Sequence, residues 1–453
     1  MKHPIASAVL ASTLTCVLPA LAQDAPAAPA ANAQPKPPQL IDPELLKLYL
    51  DVMKDARRLV DHHATLKERV ELARHFSFSP DTKAGLQSAF GNDDPLHLTV
   101  EELSGGGAAI HGKSDSLDHT DAKNGSTLHL DPITAESIVN RDYSGFKYDI
   151  GISELKLTST GDPKLVDMSN IAIHGDNTVG PYNLPLGKSS FQLERMHIGG
   201  GEGAAFALDF NNLAVDADVA ARKKVFDARY GYRIASVDWG SDKIENLNAD
   251  IAILNIDGKS MEDLSDFAET IDFSRQPDAA QDGAQDSMQS DAVMKLFKRF
   301  ALELSKHNGA VEIRDLSAQY HGQRAGLAGR LTLPSLKQAD LDSTQKIYEK
   351  LSVRLRLHVP MAMVDDITHR VARSMMEAQA RQSGAQVTDV AVDLVARGLI
   401  SKMDDTLVKQ QKWAHMEKDE LVTVFELKKG KMCLDGHFVN ARSNPFIAMA
   451  QGK

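Results

Sequence analysis

The spacing of apolar residues changes several times along this chain, and the changes divide it into blocks. Leu45, Leu46, Leu48, Tyr49, Val52, Met53, Leu59, Val60 and Leu66 follow a helical period, with Asp42 placed to cap and Pro43 suited to a first turn. They predict one amphipathic helix running to about Phe76. From Leu96 to Ile256 the period drops to two, as in Leu128/Leu130, Tyr148/Ile150/Ile152, Ile171/Ile173, Phe191/Leu193, Phe206/Leu208/Phe210 and Tyr230/Tyr232/Ile234, with Gly, Asn and Asp between the runs. This is the signature of many half-buried strands. A polar residue followed by apolar-x-apolar recurs as Glu154-Leu155-Lys156-Leu157, Asn170-Ile171-Ala172-Ile173, Asn212-Leu213-Ala214-Val215 and Asp250-Ile251-Ala252-Ile253. The repeats fall at irregular intervals, which predicts an antiparallel meander and not a solenoid.

The helical period returns at Lys259–Ile271 and Asp291–His307, on either side of an acidic, core-poor segment from Asp272 to Ser290 that reads as a flexible surface loop. Strands resume at Val311/Ile313, Leu331/Leu333 and Val353/Leu355/Leu357. Residues from Met361 to about Trp413 are helical in pattern, broken near Ser383-Gly384, and a final hairpin joins Leu421–Leu427 to Met432–Val439 around Lys429-Gly430. The expected fold class is α+β: a large, twisted antiparallel β-sheet meander packed against an N-terminal helix and a C-terminal helical pair. The expected divisions are a signal peptide at 1–22, a Pro/Ala-rich linker at 23–41, a helix and first β block at 42–258, a helical insertion at 259–307, a second β block with the helical pair at 308–440 and a tail at 441–453.

The first residues change the picture. Lys2 supplies a basic start, Ile5 to Leu18 form an apolar stretch too short to span a bilayer, and Ala20-Leu21-Ala22 offers a small-x-small cleavage site. This predicts export to the periplasm with cleavage before Gln23; anchoring by an uncleaved apolar segment is the alternative. Cys16 lacks the neighbours of a lipidated cysteine and leaves with the signal, so Cys433 stands alone and no intramolecular disulfide is expected. Pro-rich 25–38 is a tether. Net charge is −11, and −12 once Lys2 is removed, which excludes the basic bias of a nucleic-acid binder, and no later segment reaches the length of a transmembrane helix.

At this level the chain resembles the YdgA-like family of bacterial envelope proteins of unknown function. The resemblance rests on Gly180-Pro181 leading into LPLGKSSFQLERMHI (Leu184 to Ile198), on IENLNADIAILNIDG, on NGAVEIRDLSAQYHG (Asn308 to Gly322) and on ELKKGKMCLDG (Glu426 to Gly436). It implies an exported or membrane-anchored β-rich protein with no established activity. A remoter likeness links such long sheets to the lipid-conducting grooves of AsmA-like envelope proteins, on fold-level analogy alone.

Candidate chemistry is sparse. Gly107-Ala108-Ala109-Ile110-His111-Gly112-Lys113-Ser114 matches the spacing of a phosphate-binding loop, but the polar string Asp115–Gly125 after it has no apolar face for the required helix. Ala109-Ile110-His111-Gly112 recurs as Ala172-Ile173-His174-Gly175, which reads as a strand ending in a turn. His62-His63 splay apart on a helix, Asp115, Asp118 and Asp121 lack the Gly and Glu of a calcium loop, Gly199–Gly203 reads as a hairpin tip, and no GxSxG elbow occurs. No catalytic, cofactor-binding or metal-ligating residue is nominated. The one residue-level feature that suggests binding is the methionine-rich helix face of Met361, Met363, Val364, Ile367, Met375 and Met376, which suits either core packing or an adaptable apolar ligand surface. The expectation is a non-enzymatic envelope protein handling lipid or another hydrophobic ligand on a β-sheet face. A periplasmic scaffold for other envelope proteins and an uncharacterised hydrolase are the alternatives.

Overall fold

A computed structural model describes residues 43–61, 63–121, 125–159, 162–199, 207–240, 242–263, 298–341, 343–383 and 386–439. The expected signal peptide, tether, acidic loop and glycine-rich tip at 200–203 lie outside these residues, as does the tail. The fold is α+β, with eighteen antiparallel strands among the described residues. They cluster into two units, one within residues 1–242 and 257–297 and the other within 243–256 and 298–453.

The first unit begins with three helices, α1 (Pro43–Arg57), α2 (Leu66–Arg74) and α3 (Pro80–Phe90). The single helix expected to reach Phe76 is therefore interrupted. Thr65, in an extended conformation, caps a new helix: its hydroxyl accepts from the Glu68 N–H while the Glu68 carboxylate accepts from the Thr65 N–H. Ser79 and Pro80 start α3, and Gly91 at φ 72° ends it.

The strands are β1 (Leu96–Glu102), β2 (Ala108–Ser114), β3 (Leu117–Thr120), β4 (Thr127–Leu130), β5 (Thr134–Val139), β6 (Gly145–Ser159), β7 (Asp162–Val179), β8 (Pro185–Gly199), β9 (Ala207–Arg222) and β10 (Val225–Trp239). Pairing runs β1–β2–β5–β6–β7–β8–β9–β10, with β3–β4 attached to the C-terminal half of β6. One face carries the core, including Val139, Phe146, Met168, Phe191, Leu193 and Val215, closed in part by Leu66 and Val70 of α2.

The recurrent polar–apolar–x–apolar motif has a structural meaning here. Asn170 and Asn212 sit in the left-handed region at φ 53° and 52°, and neither makes a ladder pair. Pairing stays one-to-one across this level, from Ile152↔Ile171 to Glu154↔Ser169, from Ile171↔Leu193 to Ser169↔Arg195, from Leu193↔Leu213 to Arg195↔Asn211 and from Ile234↔Leu213 to Ser236↔Asn211. The inward-facing residues change parity together at this level, from Ile171 to Met168, from Leu193 to Met196 and from Leu213 to Phe210. An aligned extra residue thus keeps the apolar side inward along both halves of very long strands. Ala109–Gly112 and its echo Ala172–Gly175 are correspondingly not strand ends: Gly112 lies within β2, and Gly175 lies mid-strand in β7, where the Tyr148 ring covers it.

The second unit contains β11 (Asp242–Asp257), β12 (Ala310–Tyr320), β13 (Gln323–Thr332), β14 (Ser352–Pro360), β15 (His415–Glu417), β16 (Glu420–Lys428), β17 (Lys431–Leu434) and β18 (His437–Phe438). Pairing runs β11–β12–β13–β14–β16, with β15 and β17 on the far side of β16 and β18 beyond β17. Lys429 and Gly430, at φ 53° and 68°, form the turn between β16 and β17 that their sequence anticipates. Helices α4 (Thr344–Lys350), α5 (Met361–Ser383) and α6 (Asp389–Met403) follow in chain order, the last running into a π-helical turn at Asp404–Gln410. The break between α5 and α6 falls where Ser383-Gly384 predicts it. No helix among the described residues is long and apolar enough to cross a membrane.

Candidate functional site

The register of the second unit sorts its side chains into two unlike faces. On one face Glu312, Arg330, Arg354 and Glu426 fall in successive strands, with Arg330 Nη1 3.0 Å from Glu312 and Arg354 Nε 3.5 Å from Glu426. Arg324 reaches Asp315 at 2.7 Å and Arg356 reaches Glu417 at 2.6 Å. These ion pairs are exposed and add little stability each, but they identify the face that meets water.

The opposite face is apolar in three consecutive rows. One row is Ile253, Val311, Leu331, Val353 and Leu427; the next is Ile251, Ile313, Gly329, Leu355 and Phe425; the third is Ala249, Leu316, Leu327, Leu357 and Thr423. Val353, Phe425 and Leu427 are drawn into a core with Met432, Trp413 and Val439. Among the described residues, the others of these rows join none of the buried clusters; Leu316 is 44% exposed and Leu357 39%. At about 4.8 Å per strand the rows extend about 19 Å across the sheet, somewhat more than the roughly 15 Å of one leaflet of a bilayer's hydrocarbon core. A contiguous, half-covered apolar surface on a sheet whose other side is polar is a candidate interaction surface.

Helix α5, which carries the methionine-rich sequence, packs against β13 and β14. Its named residues divide. Met363 is 7% exposed, Met376 packs with Ala372 against Val392 and Ala396 of α6, and Met361 and Val364 are half-buried. Ile367 and Met375 instead point outward at 46% and 55% exposure, with Val371 between them, so that residues four apart form one exposed apolar stripe. The α5–α6 pair is tied by Arg373 to Asp389 at 2.6 Å and His369 Nε2 to Asp393 at 3.2 Å. A backbone hydrogen bond to the Asp365 carbonyl, followed by the Asp393 carboxylate, holds the His369 pKa above its ordinary value.

Of the other sequence candidates, His62 lies outside the described residues, and those described take structural roles. Ala108–Ser114 is a strand, so the phosphate-loop spacing opens no helix. His129 bridges Asp118 at 2.7 Å and Asp131 at 3.1 Å, His197 pairs with Asp209 at 2.9 Å, and His415 lies between Asp435 at 2.7 Å and Glu417 at 3.0 Å. Asp115 accepts from Asn92 at 2.7 Å, on a different partner from Asp118. Among the described residues no group of three or more His, Cys, Asp or Glu side chains is placed to hold a metal ion.

The leucines of the apolar rows are the residues that sequence reading passes over. Their alternation marks strands, yet nothing in a period of two tells a covered face from an uncovered one. Comparison with curated proteins and with solved structures finds no match. A family model does match, over residues 75–441, taking in all the strands of both units and the α5–α6 pair. The chain belongs to that family, DUF945, bacterial proteins of unknown function.

Proposed function

We propose that this protein is a non-catalytic, exported envelope protein that holds the hydrocarbon part of a lipid or similar hydrophobic ligand on the apolar sheet face of its second unit. The observation that carries the reading is the Leu316–Leu327–Leu357 row, a cross-strand line of leucines whose outer two are exposed while the reverse face is paired and polar. Burying such a row recovers about 25 cal/mol for each Å² of apolar surface removed from water. A chain-shaped ligand laid across the strands would recover it without ordering any further protein. The exposed stripe of α5 enlarges the apolar surface that this unit offers.

The test is binding of the neutral apolar dye N-phenylnaphthylamine, read by fluorescence and competed by a long-chain fatty alcohol. Leu316→Thr with Leu357→Thr keeps strand-compatible β-branched residues while removing the greasy row. The double variant, folded by circular dichroism, is expected to lose competable binding. Wild-type protein that takes up no dye would end the proposal. A second reading, docking of another envelope protein, is favoured by Val390 and Leu394 on α6, exposed at 80% and 73% on a helix side turned away from α5.

A further inference from the structure

Two thioethers stand on the apolar surface of the second unit. Among the described residues, Met375 and Met416 are the exposed methionines, at 55% and 42%. Met375 ends the α5 stripe that begins at Ile367 and continues through Val371. Met416 belongs to the sheet. It pairs with Leu421 of β16, and Leu421 pairs in turn with Val359, two residues beyond Leu357 on the same side of β14. Val359, Leu421 and Met416 thus add a fourth row to the apolar face, and the outermost member of that row is a methionine.

Met168, Met196, Met363 and Met432 are buried, where an unbranched, flexible chain fills an irregular gap. That reason does not hold at an exposed position, where leucine would supply as much apolar surface and, on α5, equal helix propensity. What methionine adds there is a polarisable contact for an apolar ligand and a sulfur that can be oxidised. The reaction needs no side-chain base. The sulfur lone pair attacks one oxygen of a hydroperoxide, the S–O bond forms as the O–O bond breaks, and the proton of the transferred oxygen passes to the leaving oxygen. With hydrogen peroxide the thioether loses two electrons to become the sulfoxide, and the peroxide is reduced to water. The exposure of the sulfur therefore decides which methionines react. A sulfoxide is a polar acceptor that loses its hydrogen bonds to water when hydrocarbon covers it. Cys433, a free thiol of the same unit, pairs with Glu426 in the row of Arg354 on the opposite face, so its oxidation leaves the apolar rows unaltered.

We infer that Met375 and Met416 are reversible oxidation sites: a hydroperoxide converts them to sulfoxides, and the apolar surface they border then releases its hydrophobic ligand. This rests on the proposed function and adds the regulation of that surface.

The experiment treats the full chain with hydrogen peroxide, follows each methionine by peptide mass spectrometry and measures N-phenylnaphthylamine binding before and after. Met375 and Met416 are expected to gain oxygen several-fold faster than Met363 and Met432, and affinity for the dye to fall about tenfold, since apolar contact is lost at two positions. Methionine sulfoxide reductases acting on both epimers should restore the affinity. The double variant Met375→Leu, Met416→Leu, compared only with its own untreated form, should lose none of its affinity on treatment. Circular dichroism of each sample separates loss of the surface from loss of fold. Oxidation of Met363 or Met432 as fast as of Met375 overturns the inference. So does selective oxidation that leaves the wild-type affinity unchanged, or an equal loss in the double leucine variant; in each of these cases the proposed function stands. Untreated wild-type protein that takes up no dye overturns both.

Discussion

Met363 and Met375 share a helix and a residue type but not an environment, so truncating each to alanine isolates what burial contributes. Met363 is 7% exposed and Met375 55%. Removing a buried methionine forfeits its transfer free energy and leaves a cavity, together about 2 to 5 kcal/mol. For Met375 less than half the side chain is covered. Scaling the roughly 1.5 to 3 kcal/mol of full burial by that fraction gives about 1 kcal/mol, with no enclosed cavity to add. Alanine's better helix propensity returns a few tenths of that. Met363→Ala should therefore cost at least about 1 kcal/mol more than Met375→Ala, with Met376→Ala between them because Met376 is half-buried against Val392 and Ala396. Guanidinium unfolding of the three variants, followed by far-ultraviolet circular dichroism, measures the differences directly. Equal losses for Met363 and Met375, or a loss above about 2 kcal/mol at Met375, would refute the assignment of the exposed stripe.

Four further outcomes follow from local geometry. Asn170→Ala forces a Cβ-bearing residue without a self-bonding side chain into a left-handed conformation and should cost about 1 kcal/mol in denaturant titration, whereas Asn170→Gly should stay within about 0.5 kcal/mol. A Cβ on Gly175 would lie 2.1 Å from the Tyr148 ring, so Gly175→Ala should destabilise by roughly 1 to 3 kcal/mol, and full stability of that variant in a thermal melt would contradict the close approach. Hydrogen bonds donated by the His415 ring to Glu417 and then Asp435 raise the His415 pKa above its unfolded value, so this group stabilises the fold fully below about pH 6.5 and loses that contribution as pH rises through the folded pKa; His415→Gln should lower the melting temperature more at about pH 6 than at about pH 9. Lys113 is an exposed residue of β2, so Lys113→Ala should change stability by less than about 0.5 kcal/mol, and saturable ATP binding lost in that variant would overturn the strand assignment's functional meaning.

Much of the fold is written in residue spacing. The alternation at Phe191/Leu193 or Val353/Leu355/Leu357 places β8 and β14, and the Lys429-Gly430 turn and the Ser383-Gly384 break fall where their backbone preferences put them. Other features lie outside what spacing encodes. Thr65 interrupts an apparently continuous helix because a capping box satisfies both backbone donors locally, and the apolar periodicity runs through it unchanged. His174-Gly175 looks like a turn, yet Tyr148 on the neighbouring strand fills the missing side chain from across the ladder. The candidate site follows the same division. Met363 and Met375 look alike in sequence, and only the packing of α5 on α6 and on the sheet separates the buried from the exposed. Met416 joins the apolar face only through the pairing of β15 with β16 and of β16 with β14.

The aligned irregularity at Asn170 and Asn212 also bears on how such long strands find their partners. In a uniformly alternating pair, a slip of one residue turns the apolar side outward and is rejected, but a slip of two leaves every side chain on its proper side. A strand of 18 residues such as β7 offers many of these silent errors. With an inversion of parity at one level in each neighbour, a two-residue misregistration brings the inversions out of step, and the residues between them present polar groups where the adjoining strand presents apolar ones. The row therefore acts as a proofreading mark for assembly, penalising the even-numbered slips that alternation alone would let pass.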